Sequence, residues 1–279
     1  MVRTRRTPLP TFFVTLSFVA LCCLAPSAAA AQSRAARQSP STQPSSSSPA
    51  NDGEAESLRL IEKGEQEADE LLRKGAELRR QGETAAALKA YEQAVKGYVK
   101  VYLRETAGSN MPLRPDATAE DRANFRRSLS AVLTKAAESV DGYLALGGTG
   151  IGFVPDEDAR GGLKQLEALR AHARLLNETD ASRAAYWPNE VERKARIISK
   201  REPMFTEEAR QERVNGTVVL RMVLMPDGKV SHILILKGLP AGLSEEAIEA
   251  ASQMRFEPAI KDGRPVAQFI TISYGFRTY

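Results

Sequence analysis

The chain has 279 residues, 42% of them apolar and 27% charged, which is enough for two folded units with ordinary cores. Its net charge of +4 would suit a nucleic acid or an anionic surface. The distribution excludes that reading, because residues 1–50 carry Arg3, Arg5, Arg6, Arg34 and Arg37 and no acid, so the other 229 residues hold 34 basic and 35 acidic side chains. No nucleic-acid partner is expected.

Residues 1–31 read as an export segment. Arg3, Arg5 and Arg6 precede an apolar run from Phe12 to Ala25. Pro26 and Ser27 break it, and the alanines Ala28 to Ala31 offer small residues for cleavage. This is the layout of a secretory signal peptide, with cleavage expected near Ala31–Gln32. The run is shorter than the roughly 20 apolar residues of a bilayer span, though a signal anchor stays open if the alanines are counted. Cys22 and Cys23 are the only cysteines, so a cleaved chain has no thiol, disulfide or cysteine metal site. Residues 32–53 are rich in Ser, Pro and Gln and predict a disordered linker, too poor in apolar surface to fold.

A helical region is predicted over 54–178, where Leu, Ala, Val and Tyr recur at three and four. Within about 68–100, Gly75, Leu78, Gly82, Ala87, Tyr91 and Ala94 stand at spacings that resemble a tetratricopeptide repeat. Gly75 and Ala87 are small where two antiparallel helices would cross, and Gly82 is a permissive turn residue. One unit is too few for a solenoid, so the pair is expected to pack on further helices. Pro112, Pro115 and Asp116 interrupt the pattern before a helix over Ala119–Leu146. The glycines between Gly147 and Gly152 lack the lysine and spacing of a phosphate loop and read as a plain connection. A last helix covers Glu157–Asn177, with His172 as a lone packed or solvated histidine. Residues 179–200, including Trp187, read as a connection.

From residue 201 to 279 the period changes to two. Gly216–Met225 predicts a strand with Val218, Leu220, Met222 and Leu224 on one face and Thr217 and Arg221 on the other. Pro226 to Lys229 makes a turn, and Val230–Lys237 returns with His232 exposed. Ser244 is the expected cap of a helix that ends near Gln253. Gln268–Phe276 predicts the third strand, with Ile270, Ile272, Tyr274 and Phe276 on one face. The expected fold class is therefore α+β: a helical, tetratricopeptide-like region followed by a small strand–strand–helix–strand domain.

This last stretch resembles the C-terminal domain of the TonB energy-transducer family. The residues that carry the resemblance are Pro203, Met204 and Phe205, then Glu208 to Arg210, Gly216 to Leu220, Pro226 to Val230 and Glu246–Ala247. Arg255 to Ala259, Asp262–Gly263, Pro265–Val266 and Phe276 follow in order. The resemblance implies a periplasmic domain that docks an extended segment of an outer-membrane TonB-dependent transporter by strand addition. It places the docking edge on Val266, Gln268, Ile270, Ile272 and Tyr274, and a second contact at Glu202, Pro203, Met204 and Phe205. It also implies inner-membrane proton-driven motor proteins as partners, and leaves a homodimer open. The chain departs from the family in having Phe205–Thr206 where Tyr-Pro is common, no histidine in residues 1–31, and a helical region in place of a proline-rich rod. A soluble periplasmic scaffold without motor coupling is the alternative. No nucleophile elbow or paired metal ligands occur, so no enzymatic activity, cofactor or metal site is expected.

Overall fold

The computed structural model describes residues 49–106, 117–148 and 159–277. The export segment, the proline break and most of the glycine-rich connection lie outside the described residues, as does most of the predicted linker. The linker's last residues, 49–53, belong to a helix instead: α1 runs Pro49–Arg80. Proline is well placed at a first helical position, where its missing N–H is no loss.

Helix α2 (Thr84–Glu105) returns antiparallel after a turn in which Gly82 has φ 81°. Helices α3 (Ala119–Leu144) and α4 (Ala159–Asn177) complete the helical layer. Thr118 and Asp121 close a capping box at the start of α3, each bonding the other's backbone N–H. Polar clamps tie the layer together. Tyr98 Oη donates to Asp69 at 2.6 Å, and Lys135 Nζ donates to Asp69 and Glu65. Arg126 donates to the carbonyls of Leu175, Leu176 and Ala185, so one side chain joins α3 to the end of α4 and to the next strand.

Close packing of the helices depends on small residues around Tyr91, which is 4% exposed. A Cβ on Gly142 would lie 2.5 Å from Tyr91 Cζ, and one on Gly75 would lie 2.9 Å from Cδ1. Gly142→Ala is therefore expected to cost about 1–3 kcal/mol by overpacking, despite alanine's better helix propensity. Urea unfolding would measure it, and an unchanged or raised midpoint would contradict this packing account.

The second layer is strand-rich. Its elements are β1 (Ala185–Tyr186), β2 (Arg196–Ser199), α5 (Glu207–Gln211), β3 (Gly216–Leu224), β4 (Val230–Lys237), α6 (Leu243–Ser252), β5 (Arg255–Glu257), β6 (Ala259–Lys261) and β7 (Arg264–Phe276). The main sheet has the order β1-β7-β3-β4, with β1 parallel to β7 and the other neighbours antiparallel. Strand β6 forms a hairpin with the start of β7, and β2 pairs with β5 apart from this sheet. The fold class is α+β, with a helical region followed by a strand-rich unit.

Both faces of the main sheet are covered. Val218, Leu220 and Met222 are fully buried, and so are their alternates Val223 and Arg221. The expectation that Arg221 turns away from the apolar face holds, but it does not meet water. Its guanidinium stacks on Trp187 at 4.8 Å and Tyr102 at 5.3 Å, and Nη2 donates to Thr106 Oγ1 at 2.9 Å. Helices α2 and α4 lie against this side, so one continuous core runs from Tyr98 and Leu169 through Phe269 to Ala251. A strand buried on both faces needs apolar residues at successive positions, and Leu220 to Leu224 supply them around a single arginine.

Two local expectations are corrected. Ser244 does not cap α6: the cap is Gly242, with φ 73°. Ser244 Oγ instead donates to the Leu239 carbonyl and accepts from the Leu239 N–H, closing the preceding loop. His232 is half-buried rather than exposed. It has φ 52° at a bulge where β4 slips its register on β3, which turns its carbonyl toward α4.

That carbonyl accepts from His172 Nε2 at 2.6 Å, which fixes the proton on Nε2. His172 is fully buried with its ring edge on Phe269, and burial pushes its pKa down to about 3 from 6.5. Folding thus favours the neutral ring. Its contribution is whole above pH about 6.5 and is lost as pH falls toward 3, by up to about 1.4 kcal/mol per pH unit. His172→Leu should flatten the fall of the urea midpoint between pH 6 and 4. An identical slope in both proteins would refute this origin.

Candidate docking edge

Strand β7 is the hinge of the sheet. Along Gln268–Phe276 it pairs with β3, and its other side is an edge. The edge is partly filled by this chain. Ala185 and Tyr186 of β1 lie opposite Ala267 and Gln268. Among the described residues, no strand pairs with the edge from Phe269 to Phe276.

Lys200 marks how the edge is oriented. Its Nζ donates to the Ser273 carbonyl at 3.3 Å and stands 4.2 Å from the centre of the Tyr274 ring. The Ser273 carbonyl therefore faces away from β3. Backbone groups alternate sides along an antiparallel strand, so residues 271, 273 and 275 address the edge while 270, 272 and 274 address β3. The parallel contact of Ala267 with β1 fits the same alternation.

The five residues predicted on this edge have different surroundings. Val266 is 8% exposed and opposite Ala259 in the β6 hairpin. Gln268 is 2% exposed, sits opposite Tyr186, and its Oε1 accepts the Ala195 N–H at 3.0 Å. Ile270 packs against the core while partly exposed, and Ile272 and Tyr274 are buried in it. Burial raises the pKa of Tyr274, and the Glu202 carboxylate nearby raises it further.

The second predicted group converges on the end of β7. Glu202 acts on Tyr274, and the Phe205 ring meets Phe276 edge-on at 5.9 Å. Pro203 is half-buried, and Met204 is 67% exposed. Thr206 fixes the segment's exit: its Oγ1 caps α5 by accepting from Ala209 N–H and donates to the Ala241 carbonyl. Ile197 and Ile198 of β2 add exposed aliphatic surface in the segment that leads to Lys200. Sequence reasoning missed Ile197, Ile198 and Lys200. The signal was an apolar pair inside a basic run, between Arg196 and Lys200.

Two structural features have no counterpart in a simple docking edge. Trp187 packs on Phe269 at 4.9 Å just where β1 leaves the sheet. Arg196 also pairs with Glu257, holding β2 on β5.

Comparisons with known proteins bear on this part of the chain. Residues 201–278 match the family described as Gram-negative bacterial TonB protein C-terminal. Protein TonB of Escherichia coli (strain K12) is 29% identical over 87 residues, which is 31% of this chain. The chain spans 36% of that relative's length. The solution structure of the Pseudomonas aeruginosa TonB CTD is 23% identical, with a TM-score of 0.27, over 30% of this chain and 87% of that one. Residues 201–278 thus carry a TonB-type C-terminal sequence, and the helical layer lies outside that match.

Proposed function

We propose that this protein is an exported, periplasmic TonB-type adaptor with a part in envelope transport. Its docking site is the free edge of β7, and its partner is an extended segment of an outer-membrane TonB-dependent transporter. The observation that carries the reading is that, among the described residues, no strand pairs with the edge from Phe269 to Phe276, on a strand whose sequence lies within the match to the TonB C-terminal family. An open edge offers a row of backbone donors and acceptors, and side-chain pockets beside it set register. Ile197, Ile198 and Met204 are exposed apolar side chains in the segments before and after Lys200, and Glu202 to Phe205 form the second contact.

Energy transduction by inner-membrane motor proteins is the finer part of this proposal and depends on attachment to the inner membrane. No described helix is long and apolar enough to cross a membrane, and the candidate anchor is the apolar run within residues 1–31. The alternative is a scaffold released by cleavage near Ala31, in which the helical layer engages a partner and a homodimer is an option.

Binding of the full chain to the purified plug domain of a TonB-dependent transporter tests the docking. Saturable binding is expected, and none across a panel of plugs would reject it. Salt washing of membranes tests the coupling: a washable, shortened protein would leave the scaffold.

A further inference from the structure

The docking edge is shorter than the strand that forms it. Strand β7 runs from Arg264, but its first third is engaged within the chain. Val266 and Arg264 pair with β6 on the side that faces β3, and on the edge side Pro265 has no N–H to give. Ala267 and Gln268 are matched by β1, and the Gln268 side chain holds Ala195.

Strand β1 is a built feature of the edge. It belongs to the connection that leaves the helical layer, outside the TonB-type match. Arg126 Nη2 donates to the Ala185 carbonyl at 2.9 Å, and Arg126 Nη1 pairs with Glu190, which also accepts the Trp187 N–H at 2.7 Å. Ala185 and Trp187 are both buried, and the Trp187 ring covers Phe269. Pro188 then turns the chain away without offering a donor. A strand added beside Ser273 would run end to end with β1 and meet it at Tyr186 and Trp187.

We infer that β1 is a stop that fixes the register of the docked segment. The partner is an extended peptide segment that pairs only with residues 269–276, and the helical layer, through Arg126, holds the stop in place. This rests on the docking reading above and deepens it. The occupant is a single strand of limited length, because sliding toward Arg264 is blocked by residues the chain supplies itself.

Disulfide trapping tests the stop. The full chain, with Cys22→Ser and Cys23→Ser, receives one cysteine, Ser273→Cys or Arg264→Cys. The probe is a ten-residue peptide alternating threonine and valine, with one cysteine placed at each position in turn. Ser273→Cys should cross-link to a narrow set of peptide positions, and Arg264→Cys to none. Tyr186→Pro, with its fold checked by circular dichroism, should broaden that set by at least two positions. As a second release of the stop, Arg126→Met should do the same. Efficient trapping at Arg264→Cys with β1 intact, or an unchanged set in both folded stop variants, overturns the stop. Failure to trap at Ser273→Cys as well overturns the docking reading itself.

Discussion

Trp187→Ala is expected to lower the unfolding free energy by about 3–5 kcal/mol, the range for an aromatic side chain removed from a core. The indole is 2% exposed and fills the seam between the helical layer and the sheet. On one side it packs on Phe269, and on the other it presents its face to the Arg221 guanidinium. Its removal therefore leaves a cavity and strips a buried cation of one of its two aromatic faces. The cation is already thinly served: Arg221 Nε and Nη1 have no hydrogen-bond partner among the described residues, and burial lowers its pKa.

Arg221→Met separates the two effects. A buried charge replaced by an apolar side chain of similar length is often neutral or stabilising, so this variant should stay within about 1 kcal/mol of the parent. Urea unfolding followed by circular dichroism measures both, and the fluorescence of the single tryptophan gives a second signal in the parent and in Arg221→Met. The continuous core predicts that the two signals change together. A loss below 1 kcal/mol for Trp187→Ala, or two separate transitions, would mean that the layers fold independently.

That seam is the part of the fold least legible in the sequence. Helix periods at three and four residues, the Gly82 turn and the alternation from Val218 to Leu224 follow from local rules, and the elements they imply are present. Local rules say which face of an element is apolar but not what covers it. Arg221 interrupts an apolar run and so reads as the polar side of a half-exposed strand. Its burial depends on Tyr102, 119 positions earlier, and on Trp187. Strand β1 has two residues and no period, and β5 and β6 have three each, so no pattern could announce them. Ser244 illustrates the same limit. A serine before two glutamates suits a helix cap, but the Leu239 backbone competes for its hydroxyl and wins.

The candidate site divides along the same line. The family resemblance singles out β7, yet half-burial and strand pairing separate its residues into those committed to the chain and those left open. Val266 and Gln268 are engaged by β6 and β1, and the side chains of Ile272 and Tyr274 belong to the core. What the edge offers a partner is mainly backbone, at positions with no side-chain signal, such as Ser273 and Gly275.

Ser273→Pro should consequently abolish docking while leaving the fold intact. Proline removes the N–H that faces the edge and puts its ring where the added strand would lie. It is tolerated on an edge whose N–H is not part of the internal ladder. Affinity for a transporter plug should fall at least tenfold, equivalent to about 1.4 kcal/mol, with a melting temperature close to that of the parent. Ile272→Pro is the opposite case. Its amide addresses β3 opposite Leu220, so the substitution breaks the central ladder and should unfold the strand-rich layer. Calorimetry on both variants with the same plug decides the matter. Wild-type affinity in Ser273→Pro would show that the partner does not pair with this edge. A stable, well-folded Ile272→Pro would show that the alternation read from Lys200 and the Ser273 carbonyl is inverted.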